Sequence, residues 1–265
     1  MSARNTALSD FIASAPPGEL NNVITAIKTL SGDPNVTSTL GPALQKYNED
    51  QFTAVKLPGA SQPVIVSSYN RLEDGRYFDV ESKSSWTYDH IAQKASNVQS
   101  YVPDSPHDEL IKSLYKSLSK HVSEHYPSAS LGIYPSSDGV HILTVSSKYS
   151  PSNFYNGRFR SHYIYSPSSN QLRGTITVDV HYYEDGNVRL LTNKKIDETV
   201  RGDNVAGTIA AAERKYQEEL NRGFSGLSEG AFRGLRRQLP VTRVKVDWEK
   251  VSGYRLGQDI GGTRR

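Results

Sequence analysis

Apolar positions along this chain recur at two different periods, and the change of period divides it into regions. Leu20, Val23, Ile24, Ile27 and Leu30 fall at helical spacing, and Ser31-Gly32-Asp33-Pro34 ends that run. Ahead of it, Ser9 to Ala15 is a weakly apolar helix closed by Ala15-Pro16-Pro17-Gly18, because proline is tolerated at a helix start and not inside. Val36, Leu40, Leu44 and Tyr47 predict a third helix. Three consecutive short helices predict a small antiparallel bundle or stalk. Phe52 to Val66 reads as short strands, punctuated by Lys56-Leu57-Pro58-Gly59-Ala60 and Ser61-Gln62-Pro63. Residues 69–105 hold few long periodic runs, and the pattern places no elements there. Leu110, Leu114, Leu118 and Val122 then form an i, i+4 stripe, which predicts a helix over Asp108 to Tyr126.

Beyond that helix the period falls to two. Leu131-Gly132-Ile133-Tyr134, the turn Ser136-Ser137-Asp138-Gly139 and the run Val140 to Tyr149 predict a hairpin. Asn153 to Tyr165 predicts a further strand. Thr175 to Tyr183 alternates, with Ile176, Val178, Val180 and Tyr182 on one face and Thr175, Thr177, Asp179, His181 and Tyr183 on the other. Glu184-Asp185-Gly186-Asn187 is a turn signal, with Gly186 free to take positive φ, and Val188 to Asn193 returns. The strands form an antiparallel meander, one face of which needs a cover. Val205, Ile209, Ala212, Tyr216 and Leu220 supply a helix stripe after a cap at Asp203 or Asn204. The stripe resumes at Phe224, Leu227, Ala231 and Leu235, predicting one long helix across the sheet that Pro240 ends.

Composition narrows the function classes. The chain has no cysteine, so disulfides and thiolate metal sites are excluded. No run reaches the ~20 apolar residues of a membrane span, and Met1 to Ala15 lacks the apolar core of a signal peptide. A soluble, intracellular protein is expected. Sixteen tyrosines, many between Tyr149 and Tyr183, suit a half-buried pleated surface.

Charge is concentrated at one end. Residues 231–265 carry nine Lys/Arg against three acids, about +6, while the whole chain is +3. Phe232, Leu235, Leu239, Val244, Trp248, Val251 and Tyr254 interrupt those charges, a pattern unlike the aromatic-poor composition of disordered tails. A basic, aromatic-bearing terminus is suited to grip an acidic surface.

Four segments resemble the α subunit of the F-actin capping protein family: Val180-His181-Tyr182-Tyr183-Glu184-Asp185-Gly186-Asn187-Val188; Phe232-Arg233-Gly234-Leu235-Arg236-Arg237-Gln238-Leu239-Pro240, continuing to Trp248; Tyr47-Asn48-Glu49-Asp50-Gln51-Phe52-Thr53; and Asn153-Phe154-Tyr155-Asn156-Gly157-Arg158-Phe159-Arg160-Ser161. The break Ala15-Pro16-Pro17-Gly18-Glu19 also fits. The resemblance implies an α+β fold: an N-terminal helical stalk (1–46), a central globule (47–130), an antiparallel sheet meander with a long covering helix (131–240) and a basic amphipathic C-terminal tentacle (241–265). It implies a similarly folded β subunit whose strands continue the sheet in an obligate heterodimer.

The function implied is Ca2+-independent binding of fast-growing (barbed) actin filament ends, blocking subunit addition and loss without severing. By motif position the key cations fall on Arg233, Arg237 and Arg243, and the wider actin-binding set adds Arg236, Lys245, Trp248 and Lys250. Arg233 and Arg237 are four apart and would share one helix face. Rim charges contribute little each, about 0–1 kcal/mol, so Trp248 is the expected anchor. The nine-residue signature is expected to be structural. Many members have an apolar residue where this chain has Ser252, and Gly253 costs about 1 kcal/mol in a helix interior, so a weaker tentacle is expected here. Phosphoinositides and proteins carrying capping-protein-interaction motifs are implied as regulators, and the cortical actin cytoskeleton of the cytoplasm as the location.

Two rival readings stay open at this stage. His181 near Glu184 and Asp185 has the residue types of an acid/base or metal cluster, but no spaced second histidine and no phosphate-cradling Gly loop accompanies it. No enzyme activity, cofactor or metal is expected. The basic tail with Trp248 and Tyr254 also suits an anionic-lipid or nucleic-acid surface, although nucleic acid is not the expected partner.

Overall fold

The computed structural model describes residues 3–60, 62–126, 128–184 and 187–226. Helices α1 (Ala3–Ala13), α2 (Leu20–Ser31), α3 (Val36–Thr39) and α4 (Gly41–Asp50) come first. The third predicted helix is therefore two pieces: Leu40 closes α3, and Gly41-Pro42 starts α4 at the position proline favours. Leu8, Ile12, Ile24, Ile27, Val36, Leu40 and Leu44 close into one apolar core. Leu30 departs from the expected stripe and is 73% exposed.

Five short strands follow: β1 (Thr53–Lys56), β2 (Pro63–Val66), β3 (Tyr77–Asp79), β4 (Ser84–Asp89) and β5 (Lys94–Ser100). β1 pairs with β2, while β3, β4 and β5 form a separate antiparallel sheet. β1 and β2 fall in the Phe52 to Val66 stretch expected to hold short strands, and β3 to β5 in the stretch, 69–105, that the periodicity left blank. Its strands are three to seven residues long, and β3 is buried at every position, so no alternation survives to be read.

Helix α5 (Asp108–His125) leads into the main sheet of β6 (Ser130–Ser136), β7 (Gly139–Ser150), β8 (Tyr155–Ser166), β9 (Gln171–Tyr182) and β10 (Val188–Thr199). The spatial order is β10-β9-β8-β7-β6, an antiparallel meander. α6 (Val205–Gly226) follows, its start capped by the Asn204 side chain accepting from the Gly207 amide at 3.0 Å. Leu227, Ala231, Leu235 and Pro240, the expected remainder of that helix, lie outside the described residues. Among the described residues no helix is long and apolar enough to cross a membrane.

α5 and α6 cover one face of the sheet. Ile111, Leu118, Ile209 and Tyr216 pack against Ile142, Tyr163, Ile176 and Val178. Burying each such side chain stabilises the fold by about 1.5–3 kcal/mol. The other face departs from simple alternation. Thr177, Asp179 and His181, the polar side of β9, are buried; on that face Arg189 ties Asp179 to the Ser14 carbonyl after α1, and Phe52, Ile65 and Phe78 pack on Leu143 and Val145 of β7. The sheet is thus sandwiched, and its second layer of cover is polar over part of its extent.

Candidate functional site

Of the segments flagged in the sequence, the Ala15–Glu19 break, Tyr47–Thr53, Asn153–Ser161 and the Val180–Val188 signature converge where the N-terminal helices meet that polar face, and the segment from Phe232 lies outside the described residues. A cleft of about 660 Å³ is lined by Gly18 and Glu19, by Tyr47, Asn48, Phe52 and Thr53, by Asn156 and Arg158, and by Tyr183. Four stretches far apart in sequence therefore share one wall.

The wall is held by specific bonds. Arg189 on β10 donates Nε and Nη2 to the two Asp179 oxygens at 2.9 and 2.7 Å and also reaches the Ser14 carbonyl. That hydrogen bond to Asp179 raises the Arg189 guanidinium above its ordinary value. A fork-shaped pair of this kind orients both partners. Asn156 donates to the Glu19 carboxylate at 2.7 Å. The Tyr47 hydroxyl donates to the Ala15 carbonyl at 3.3 Å, and burial raises its pKa. Arg158 donates to Gln51 at 3.0 Å and Ser147 at 3.1 Å. Gly18 takes φ +79°, and a Cβ there would lie 2.9 Å from the Tyr149 ring, so glycine is required on both counts.

The signature itself splits between strand and turn. Val180, His181 and Tyr182 end β9, Tyr183 donates its amide to the Phe154 carbonyl at 2.8 Å, and Tyr182 donates its hydroxyl to Glu184. Asn187 and His181 are 2.6 Å apart, and Val188 opens β10 opposite Tyr182. Asp185 and Gly186 lie outside the described residues. The His181 ring is thus engaged by a carboxamide, and among the described residues no group of three His, Asp or Glu is placed to hold a metal.

On the helix-covered face a second polar centre fixes α6. Glu213, 7% exposed, accepts from the Tyr126 hydroxyl at 2.7 Å and the Tyr163 hydroxyl at 2.9 Å, and lies 2.9 Å from His121 Nε2. Burial, then Glu213, raises both tyrosines far above their ordinary range. Thr192 with Tyr216 and Lys194 with Glu219 tie the same helix to β10.

The predicted actin-binding residues, Arg233, Arg236, Arg237, Arg243, Lys245, Trp248 and Lys250, all lie outside the described residues. Sequence reading missed Asp179, Arg189, Glu19 and Glu213 as organising groups. The signal for Asp179 was present: an acid inside a strongly β-forming run is unfavourable unless paired. At the far end of the sheet β10 presents twelve residues with no strand on their outer side among the described residues, and Leu191 there is 54% exposed.

Comparison with known proteins matches residues 8–259 to the family described as F-actin capping protein alpha subunit. The chain is 59% identical to the F-actin-capping protein subunit alpha of Neurospora crassa, over 99% of this chain and 98% of the relative. It is 35% identical to the Caenorhabditis elegans protein of that name, over 95% of each. Among solved structures it resembles a homodimeric actin capping protein alpha subunit from Plasmodium berghei, with TM-score 0.67, 20% identity, and coverage of 90% of this chain and 98% of that one. The chain belongs to the F-actin capping protein alpha subunit family.

Proposed function

We propose that this chain is the α half of a heterodimer that binds the barbed ends of actin filaments and blocks both addition and loss of subunits, without severing and without Ca2+. It acts as a structural end-binder and not as an enzyme, in the cytoplasmic actin cytoskeleton, at cortical actin structures. The observation that carries the reading is family membership over nearly the whole chain, including the basic segment after α6.

The outer edge of β10, unpaired among the described residues, supports the dimer. A twelve-residue edge without proline is a template for another strand, and a β subunit pairing there would continue the sheet. The end-binding surface is assigned to Arg233, Arg237 and Arg243, with Arg236, Lys245 and Lys250 around them and Trp248 as the desolvated anchor. Opposed charge sets encounter rate and orientation, and the aromatic supplies the slow release. Truncation after Val251, which keeps Trp248 and Lys250, is expected to weaken capping by less than about tenfold, given Ser252 and Gly253. A loss well beyond tenfold would show that the last residues carry more than this composition allows.

Phosphoinositides compete for the same arginines in this reading, and proteins with capping-protein-interaction motifs are further partners. The +6 charge of residues 231–265 also favours a second reading, in which the tail's main target is an anionic membrane or a nucleic acid. Filament seeds elongated with the co-purified heterodimer separate the two. Blocked growth supports capping, and unblocked growth with retention on anionic vesicles or on nucleic acid supports the second.

A further inference from the structure

Two histidines on the polar face of the sheet form a closed pair that no part of the capping reading uses. His141 on β7 and His162 on β8 bring Nδ1 and Nε2 to 3.0 Å. Tyr69, in the turn after β2, stacks on His162 with centroids 4.1 Å apart and lies 4.6 Å from His141. Phe52, just after α4, meets His162 edge-on at 6.5 Å. The pair therefore glues the segments around β1 and β2 to the main sheet.

One ring nitrogen must carry a proton and the other a lone pair for that contact to be a hydrogen bond. A second proton on the acceptor nitrogen sets a cation against a donor, and one on either ring's far nitrogen puts a charge into a partly buried stack. Apart from the Tyr69 ring face, no opposite charge among the described residues bears on either ring. Arg160 lies two residues from His162 on the same strand face, and Arg173 lies further along that face on β9. The Arg160 guanidinium donates to the Asp50 carbonyl at the end of α4 and is itself held down by burial and by Arg158. Asp50 bears on Tyr69, and Lys46 already pairs with its carboxylate at 2.6 Å. Burial lowers His141, and burial together with His141 lowers His162 to about 4.

We propose that the His141–His162 pair, clasped by Tyr69 and Phe52, is an acid-sensitive joint whose protonation releases the β1–β2 region from the sheet. The folded chain holds these rings neutral where the unfolded chain protonates them. The stability they contribute is complete above about pH 6.5 and is lost as pH falls from there toward 4. Release is local, because the α5–α6 core on the opposite face contains neither histidine.

Hydrogen exchange of the full chain, in the assembly in which it purifies, tests this between pH 7.5 and 5. After correction for intrinsic rates, amides of residues 50–56 and 63–70 should exchange about tenfold faster at pH 5, with α5 and α6 unchanged. His162→Phe keeps the stack on Tyr69 and cannot titrate, so it should abolish the difference; His141→Gln serves if that variant fails to fold. The His162 C2 proton resonance gives an independent reading and should titrate far below pH 6. Acid-induced exchange that persists in both variants, or a His162 that titrates near 6.5, would overturn the proposal.

Discussion

A single buried carboxylate can decide how a sheet answers to pH, and Asp79 is such a group. It is 4% exposed, accepts from the Ser82 amide at 2.8 Å, and burial holds its carboxyl above the ordinary 3.8. The folded chain therefore keeps the Asp79 proton to higher pH than the unfolded chain does. That contribution is complete below the unfolded pKa and is lost as pH rises through the folded one. Asp79→Asn should remove the loss, so the urea midpoint near neutral pH should rise relative to wild type while the two converge in acid. Equal shifts at every pH would contradict this. Asp179 is equally buried but bonded to both arms of Arg189. Removing one member of such a pair leaves the other charge without a partner, so Arg189→Met is expected to cost about 3–5 kcal/mol in chemical denaturation. A loss below about 1 kcal/mol would mean the pair is solvated.

Among the elements, α6 has the most specific seat. Its apolar stripe was legible as a 3.6-residue period, and the described helix follows it from Val205 through Ile209, Ala212 and Tyr216. Glu213 was not legible, since a charged residue beside Ala212 reads as the solvent side until Tyr126, Tyr163 and His121 are seen around it. Glu213→Ala should leave two tyrosine hydroxyls without acceptors and destabilise by about 2–4 kcal/mol, read as a drop in denaturant midpoint. An unchanged midpoint would mean water replaces the carboxylate. The order of the main sheet was legible, because β7 to β10 are twelve residues long and β9 alternates Ile176, Val178 and Val180 with Thr175, Thr177 and Asp179, although β10 runs on to Thr199, past the expected Asn193. The β3–β5 sheet was not, because short strands buried on both sides or exposed on both carry no period. The split at Leu40 was signalled by Gly41-Pro42 and passed over because the apolar spacing continued across it.

At the scale of the whole molecule, the proposed capping function rests on two features: the edge of β10, which has no strand on its outer side among the described residues, and the basic segment that follows α6 in sequence. The sequence revealed the basic segment through charge counting, whereas the edge needed topology, because a strand's pattern says which face is buried and not which side is paired. Leu191→Asp places a charge at that edge and is expected to weaken co-purification with a β subunit by roughly tenfold, leaving the chain's own core intact. Undiminished pairing would move the partner to another surface. The most direct test is elongation of fluorescent actin from filament seeds. It uses this chain co-purified with a capping-protein β subunit, beside Arg233→Ala/Arg237→Ala/Arg243→Ala. The account predicts that wild type stops barbed-end growth at nanomolar levels and that the triple variant does not. Equal blocking by both would place the end-binding surface elsewhere, and free growth with a folded wild-type heterodimer would contradict the capping function itself.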